Sequence, residues 1–376
     1  MTDARSRLLL GTTAVGTVTL AATAMLISQA HVGALQLSGG TGMQEFLLVL
    51  GAMGIWAAVL LPFDFVGGYL LPRRFQRVAP SLREFTLGWT RGVLVQSLLI
   101  AAFLGSILQA AQVGGLMAVI GAVTVAQVGL VAGQKHVAAM VARLAVRKAD
   151  SNQVPTEEST VVAATHSDSG FTGSIVGLPG LEQVIVPRAW LDRLEVNQLH
   201  TELTRRCGGI QSGSRTRGII LAIAVNTLTL ATCTQLPTAG VSTVSELITT
   251  SLYFTLVSFA WLLVLPRWSR EGVFEADRLA FEAGVPVNVL EATAESIESL
   301  HDDEPKRSRR LESIFHPVPC VNRRVAELAL RIRSIRGFWN VARMTLFLSW
   351  SCGGSLSRAV RCNIGRPELW VMLPVD

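Results

Sequence analysis

From Gly92 to Gln134 the chain runs for about 43 residues without one Asp, Glu, Lys or Arg. A stretch of that length and polarity has few stable environments other than the interior of a bilayer. About 20 apolar residues suffice for one helical crossing, so this run predicts two, broken near Gln109–Gly115. Comparable apolar segments occur at Leu8–Ser28, at Phe46–Leu61 (extending towards Leu71), at Gly218–Gln235 and at Leu247–Leu265. Half of the 376 residues are hydrophobic and the mean hydropathy is +0.43, too apolar for an ordinary soluble enzyme. The expectation is a mainly α, multi-pass membrane protein of six spans with a small α+β domain outside the bilayer. The first span reads as an uncleaved anchor, because no small-residue cleavage site follows its long apolar core.

Charge placement orients these spans. All 33 Lys and Arg fall within residues 1–7, 73–91, 135–217 and 267–366, whereas the loops near 29–45, 109–115 and 236–246 carry none. The positive-inside rule then predicts both termini and the extramembrane domain on the cytoplasmic side. The net charge of +6 is explained by basic residues that flank spans and meet lipid headgroups, so membrane lipids are the expected partners. No motif of a nucleic-acid-binding module occurs, and no nucleic-acid partner is expected. Phosphate-binding loops, G-x-S-x-G elbows and dinucleotide fingerprints are also missing. Five cysteines form no C-x-x-C pair, and four of them fall in segments expected to be cytoplasmic and reduced.

The resulting organisation is a four-span region (1–134), a first half-domain (135–217), a two-span hairpin (218–266), a second half-domain (267–335) and a tail (336–376) containing Trp339, Trp350 and Trp370. Lys135–Lys148 reads as an amphipathic helix leaving the fourth span, and Ala149–Glu158, with Pro155, as a linker. Residues 159–165, 170–176 and 183–187 read as strands. Gly284 is placed to end a helix that begins near Glu271. The tail is apolar but too short to span, which leaves it packed on the domain or lying at the membrane surface.

Two stretches carry chemistry. Val184-Ile185-Val186 precedes an amphipathic Trp190–Leu194 and then Gln198-Leu199-His200-Thr201-Glu202-Leu203-Thr204-Arg205-Arg206. Further on stands Ser269-Arg270-Glu271-Gly272-Val273-Phe274-Glu275-Ala276-Asp277-Arg278, and later still His316-Pro317 with Arg324-Val325. Taken as a set over residues 170–330, these resemble the HtpX-like and CAAX-prenyl-endopeptidase group of integral-membrane zinc metallopeptidases. The family's H-E-x-x-H helix aligns on Glu202-Leu203, and its S-R-x-x-E-[YF]-x-A-D helix aligns on Ser269–Asp277.

What the resemblance implies is a zinc site whose three ligand positions are substituted. Thr201 and Arg205 stand at the two histidine positions, and Val273 at the glutamate position. Glu202 keeps the general-base position, and Asp277 the position that supports a histidine ligand. No zinc is therefore expected here, although the family uses it. Glu202 reads either as a retained base or as an ordinary helix glutamate, and Asp277 either as a local hydrogen-bond acceptor or as an ion-pair partner of Arg205. His200 sits about 100° around the helix from the ligand face, and Glu275 about 200° from the Val273 position, so neither replaces a lost ligand. In the family the strand before the catalytic helix lies at a sheet edge and takes up extended substrate, which would make Val184, Ile185 and Val186 a peptide-binding edge.

Asp64 is a separate candidate, an acid at membrane depth or, since Pro62 and Arg73-Arg74 are close, an interfacial or cavity-facing carboxylate. Two function classes follow: a catalytically inactive, peptidase-like membrane protein that binds a peptide or a membrane-protein partner, or a membrane metalloendopeptidase with a non-standard metal site.

Overall fold

A computed structural model describes residues 2–32, 42–75, 77, 79–148, 161–165, 171–301, 307–330 and 336–371. The expected linker at 149–158 lies outside the described residues. Helix α1 (Asp3–Ser28) is capped by Thr2, whose hydroxyl accepts from the Arg5 amide. Helix α2 (Gly42–Phe65) contains Pro62 yet continues, through a π-helical turn at Val66–Leu70 and a last turn at Leu71–Arg74.

Helix α3 (Leu82–Ala142) opens on a capping box between Ser81 and Glu84. Its backbone leaves helical geometry at Gly114 and Gly115, where Gly115 takes φ +60. A straight helix would hold residues 91 and 141 about 75 Å apart. Instead the Arg91 guanidinium donates to the Val141 carbonyl at 3.1 and 3.2 Å, so α3 folds back into a hairpin at the two glycines. Among the described residues five helices are long and apolar enough to cross a bilayer, and α3 divides into arms 82–113 and 116–142 that are each long enough for a crossing. The break falls at the end of the interval expected from the sequence.

The extramembrane sheet has strands β1 (Ala145–Lys148), β2 (Val161–Thr165), β3 (Ser174–Val176) and β4 (Gln183–Pro187) in the order β1-β2-β4-β3. Residues 145–148 were expected to continue the preceding helix. They form a strand instead, because Arg143 ends α3 in the left-handed conformation (φ 53) and Ala145 pairs with Thr165. β4 lies inside the sheet, parallel to β2 and antiparallel to β3, with Val184 opposite both Val161 and Ile175. The expectation that Val184, Ile185 and Val186 form an edge strand is therefore overturned. All three side chains are buried, and both sides of the strand are already paired. On the β3 side, the Arg215 guanidinium covers the Ile175 and Gly177 carbonyls.

Helices α4 (Arg188–Arg193) and α5 (Val196–Gln211) follow the sheet. The membrane hairpin is α6 (Ser214–Cys233) and α7 (Val244–Glu282). At 39 residues α7 is about 58 Å long, so it leaves the bilayer and carries Val273 and Asp277 directly into the domain. Gly284, at φ +97, follows its end as the sequence predicts. Beyond it lie α8 (Val287–His301), α9 (Arg309–Phe315) and α10 (Val321–Leu330). One face of the sheet and α5 share a core of Val161, Ile175, Val184, Val186, Leu199 and Leu203 with Ala276 of α7 and Trp339.

The tail packs on the domain only at its start, where Trp339 joins that core, and the rest departs from both sequence readings. Helix α11 (Val341–Leu348), the 3-10 turn Ser349–Cys352 and helix α12 (Glu368–Val371) are buried and pack against α3, α6 and α7 among the membrane helices. The reason is polar as well as apolar: Asn226 of α6 donates to the Thr345 carbonyl, Gln134 of α3 to the Val371 carbonyl, and the Gly337 amide donates to Glu275. Trp350 and Trp370 are fully buried and donate to the Ser357 hydroxyl and the Asn363 carbonyl.

Candidate functional site

Helix α5 presents Thr201, Glu202, Leu203, Arg205 and Arg206 as buried positions while His200 faces solvent. Both oxygens of Glu202 are taken along its own helix, by Arg205 Nη1 at 2.5 Å and by Arg206 Nε at 2.6 Å. Arg205 then reaches across to α7, where its Nε donates to Asp277 Oδ1 at 2.6 Å. Asp277 also accepts two hydrogen bonds from Arg324 of α10, at 2.7 and 2.8 Å. Arg206 points the opposite way, donating to the carbonyls of Ile185 on β4 (2.9 Å) and Thr172 (2.7 Å) with its guanidinium over the Trp190 ring. Gly173, at φ +75, makes room for this, since a Cβ there would lie 2.1 Å from the Ile185 carbonyl oxygen and 3.1 Å from Arg206.

Glu202, Arg205 and Arg206 have no solvent exposure, and Asp277 retains only 2%. Each buried ion costs several kcal/mol to dehydrate, which is repaid only where geometry is good and the remaining donors find acceptors. Here the two carboxylates pair with three guanidiniums, and the excess positive charge is directed onto backbone carbonyls. The cluster therefore ties β4, α5, α7 and α10 together through polar contacts alone. It makes concrete one of the two readings of Asp277, as the ion-pair partner of Arg205.

The other singled-out residues divide by their surroundings. Thr201 is buried and its hydroxyl donates to the Asn197 carbonyl at 2.8 Å, the usual back-bond of a helical threonine. Val273 is a buried aliphatic side chain. Glu275 accepts from Arg217 at 2.9 and 3.0 Å and from the Gly337 amide at 2.7 Å, so it anchors the tail. The segments read together in the sequence also meet in space: Arg270 donates to the carbonyls of Glu312 and His316 at 2.9 Å, and Arg324 binds Asp277. No group of three His, Cys, Asp or Glu side chains clusters among the described residues.

Asp64 lines no cavity itself, although its partners Trp89 and Gly365 do. It is buried, accepts from Trp89 Nε1 at 2.8 Å and from the Gly365 amide at 2.7 Å, and forms an ion pair with Arg358. An acid at membrane depth must be neutralised by a partner, and this one is supplied by the tail, about 300 residues away. The Gly67-Gly68 pair beside it admits Ile364 and Gly365 of the tail, since a Cβ on Gly68 would lie 2.1 Å from the Gly365 carbonyl oxygen.

Arg206, Arg324, Trp190 and Arg358 carry the polar cores of the molecule and were not assigned these roles from the sequence. Arg206 left a signal, because Glu202 and Arg206 are spaced i, i+4 on the apolar face of an amphipathic helix, and Arg324 one as part of the Arg324-Val325 motif.

Together these features define a multi-pass, mainly helical membrane protein carrying a small four-stranded α+β domain. In structure the chain is similar to S. mikatae Ste24p: the crystal structure of that protein matches with a TM-score of 0.68 over 79% of each chain, at 12% sequence identity. No protein-family model matches the sequence, and no curated protein matches it.

Proposed function

We propose that this protein is a catalytically inactive member of the membrane-metallopeptidase fold, acting by binding rather than by cleavage. The observation that carries the reading is the guanidinium of Arg205 lying between Glu202 and Asp277. In the register of the sequence resemblance, Arg205 stands where the second zinc-binding histidine would be. The side chains at the three ligand positions do not fit the ion. Thr201 is engaged with its own helix, Arg205 is a cation with no lone pair to offer, and Val273 has no donor atom. Glu202 has both oxygens engaged by arginines within the cluster, so neither is presented to a water as a general base would be. Elemental analysis of the full chain, purified in mild detergent, is expected to give well under one zinc per molecule. A full equivalent of zinc in the unaltered chain would instead point to a rebuilt metal site and sink this reading.

We further propose that the sheet domain and both termini face the cytoplasm, on the strength of the arginine and lysine distribution. Reporter fusions after Gly240, in the α6–α7 loop, are expected to report the outside, and fusions after Gly284 the inside. Reversed signals at the two sites would refute that orientation. A peptide or membrane-protein partner would bind at this face. Because β4 is paired on both sides and Arg215 covers β3, strand addition would fall to β1 among the described strands.

A further inference from the structure

At one end of the helical bundle, a cavity of about 450 Å³ opens among the first turns of α1, the last turns of the α2 extension, both ends of α3 and the tail residues 365–368. These are the ends of membrane-crossing helices, where lipid headgroups lie. Its lining includes five guanidiniums, those of Arg7, Arg77, Arg91, Arg143 and Arg366. Against them stand only Glu84 and Glu368 in the lining, with Asp3 behind, paired to both Arg7 and Arg77. Among the described residues the formal balance is an excess of two positive charges. Glu84 is further committed to the Ser81 cap.

The excess is localised. Arg91 is held in place by the Val141 carbonyl, close enough to Arg143 for their charges to interact, and neither has a carboxylate partner among the described residues. Two guanidiniums that line one polar cavity repel one another unless an anion joins them. A tetrahedral phosphate, with several acceptor oxygens, matches the fork geometry of two arginines. The volume is ample for a headgroup-sized ligand.

We propose that this cavity binds a phosphate group, carried either by an anionic lipid headgroup or by a water-soluble phosphate compound. It is distinct from the Glu202–Asp277 cluster and does not depend on the fate of the metal site.

The test uses the full chain in dodecyl maltoside micelles, with three probes followed by native mass spectrometry: dioleoyl phosphatidic acid, dioleoyl phosphatidylcholine and inorganic pyrophosphate. Phosphatidic acid, pyrophosphate or both should bind, and phosphatidylcholine should not. Arg143→Glu alters an exposed side chain and is expected to weaken binding by about tenfold or more, the scale of a lost charge-assisted contact. Gly88→Leu adds no charge and meets no atom within 4 Å at its Cβ, so it fills the cavity and should also weaken binding. Arg188→Glu makes the same change in net charge on an exposed residue outside the cavity, and should leave binding intact. Binding of phosphatidic acid without pyrophosphate assigns a lipid source, and the reverse a soluble one. The proposal is overturned if neither phosphate probe binds, if phosphatidylcholine binds equally well, or if Arg188→Glu weakens binding as much as Arg143→Glu.

Discussion

Replacing Glu202 with Gln is expected to destabilise the folded chain by about 3–5 kcal/mol, the cost of breaking a buried ion pair from one side. The substitution is nearly isosteric, so the effect would come from charge. Arg205 and Arg206 are both fully buried and both donate to Glu202, so removing its charge leaves Arg205 to share Asp277 with Arg324 and leaves Arg206 against the neutral Gln and backbone carbonyls. A glutamate kept only as a general base behaves oppositely, because its loss removes activity and leaves the fold intact. Denaturant titration in detergent, followed by tryptophan fluorescence, distinguishes the two. Pairing Glu202→Gln with Arg205→Met should recover part of the loss, since the second change removes the cation that the first left exposed to a low dielectric. An unchanged midpoint in the single variant would mean that the cluster is not holding the domain together.

Gly365→Val should release the tail from the membrane helices. Gly365 adopts φ +68, and a Cβ there would lie 2.1 Å from the Asp64 carbonyl oxygen and 2.3 Å from the Gly68 amide nitrogen. Those neighbours are backbone atoms of α2 and its π-helical turn, which cannot swing aside as a flexible side chain can. The left-handed conformation costs a β-branched residue about 1–2 kcal/mol, and overpacking about 1–3 kcal/mol more. The same movement would separate the Gly365 amide and Arg358 from Asp64, leaving a carboxylate buried among α2 and α3. The readout is Cys352, which is fully buried between α3, α11 and the rest of the bundle. Maleimide labelling mapped by mass spectrometry should mark Cys352 in Gly365→Val and spare it in the unaltered chain. Asp64→Asn keeps the shape and removes the charge; it should expose Cys352 to a lesser degree. Protection of Cys352 in both variants would show that the tail is held by apolar packing alone.

Much of this architecture was legible in the sequence because its signals are local. Uncharged runs declare the membrane helices, and Gly114-Gly115 sits where a 43-residue apolar run must turn back. The three segments around Glu202, Asp277 and Arg324 could be aligned on family motifs because motif spacing is a property of the chain itself. What those residues do was not legible to the same degree. Whether Arg205 stands against Asp277 depends on α5 and α7 crossing at the right height, and the burial of Arg206 depends on Thr172 and Ile185 offering carbonyls from elsewhere in the fold.

The misreadings of β4 and of the tail share a cause. Strand β4 looked like an edge because its own residues say nothing of how many neighbours it has; β2 and β3 decide that by pairing on either side. The tail looked peripheral because its apolar runs are short. Its burial follows from contacts with residues more than a hundred positions away, Asp64, Gln134 and Asn226 among them. The sequence by itself determined the membrane class and where the long apolar helices lie, since hydropathy and charge are carried by each residue. Only the tertiary structure decided which charges neutralise one another, because an ion pair in a low-dielectric interior is set by distances of a few ångströms that no spacing along the chain records.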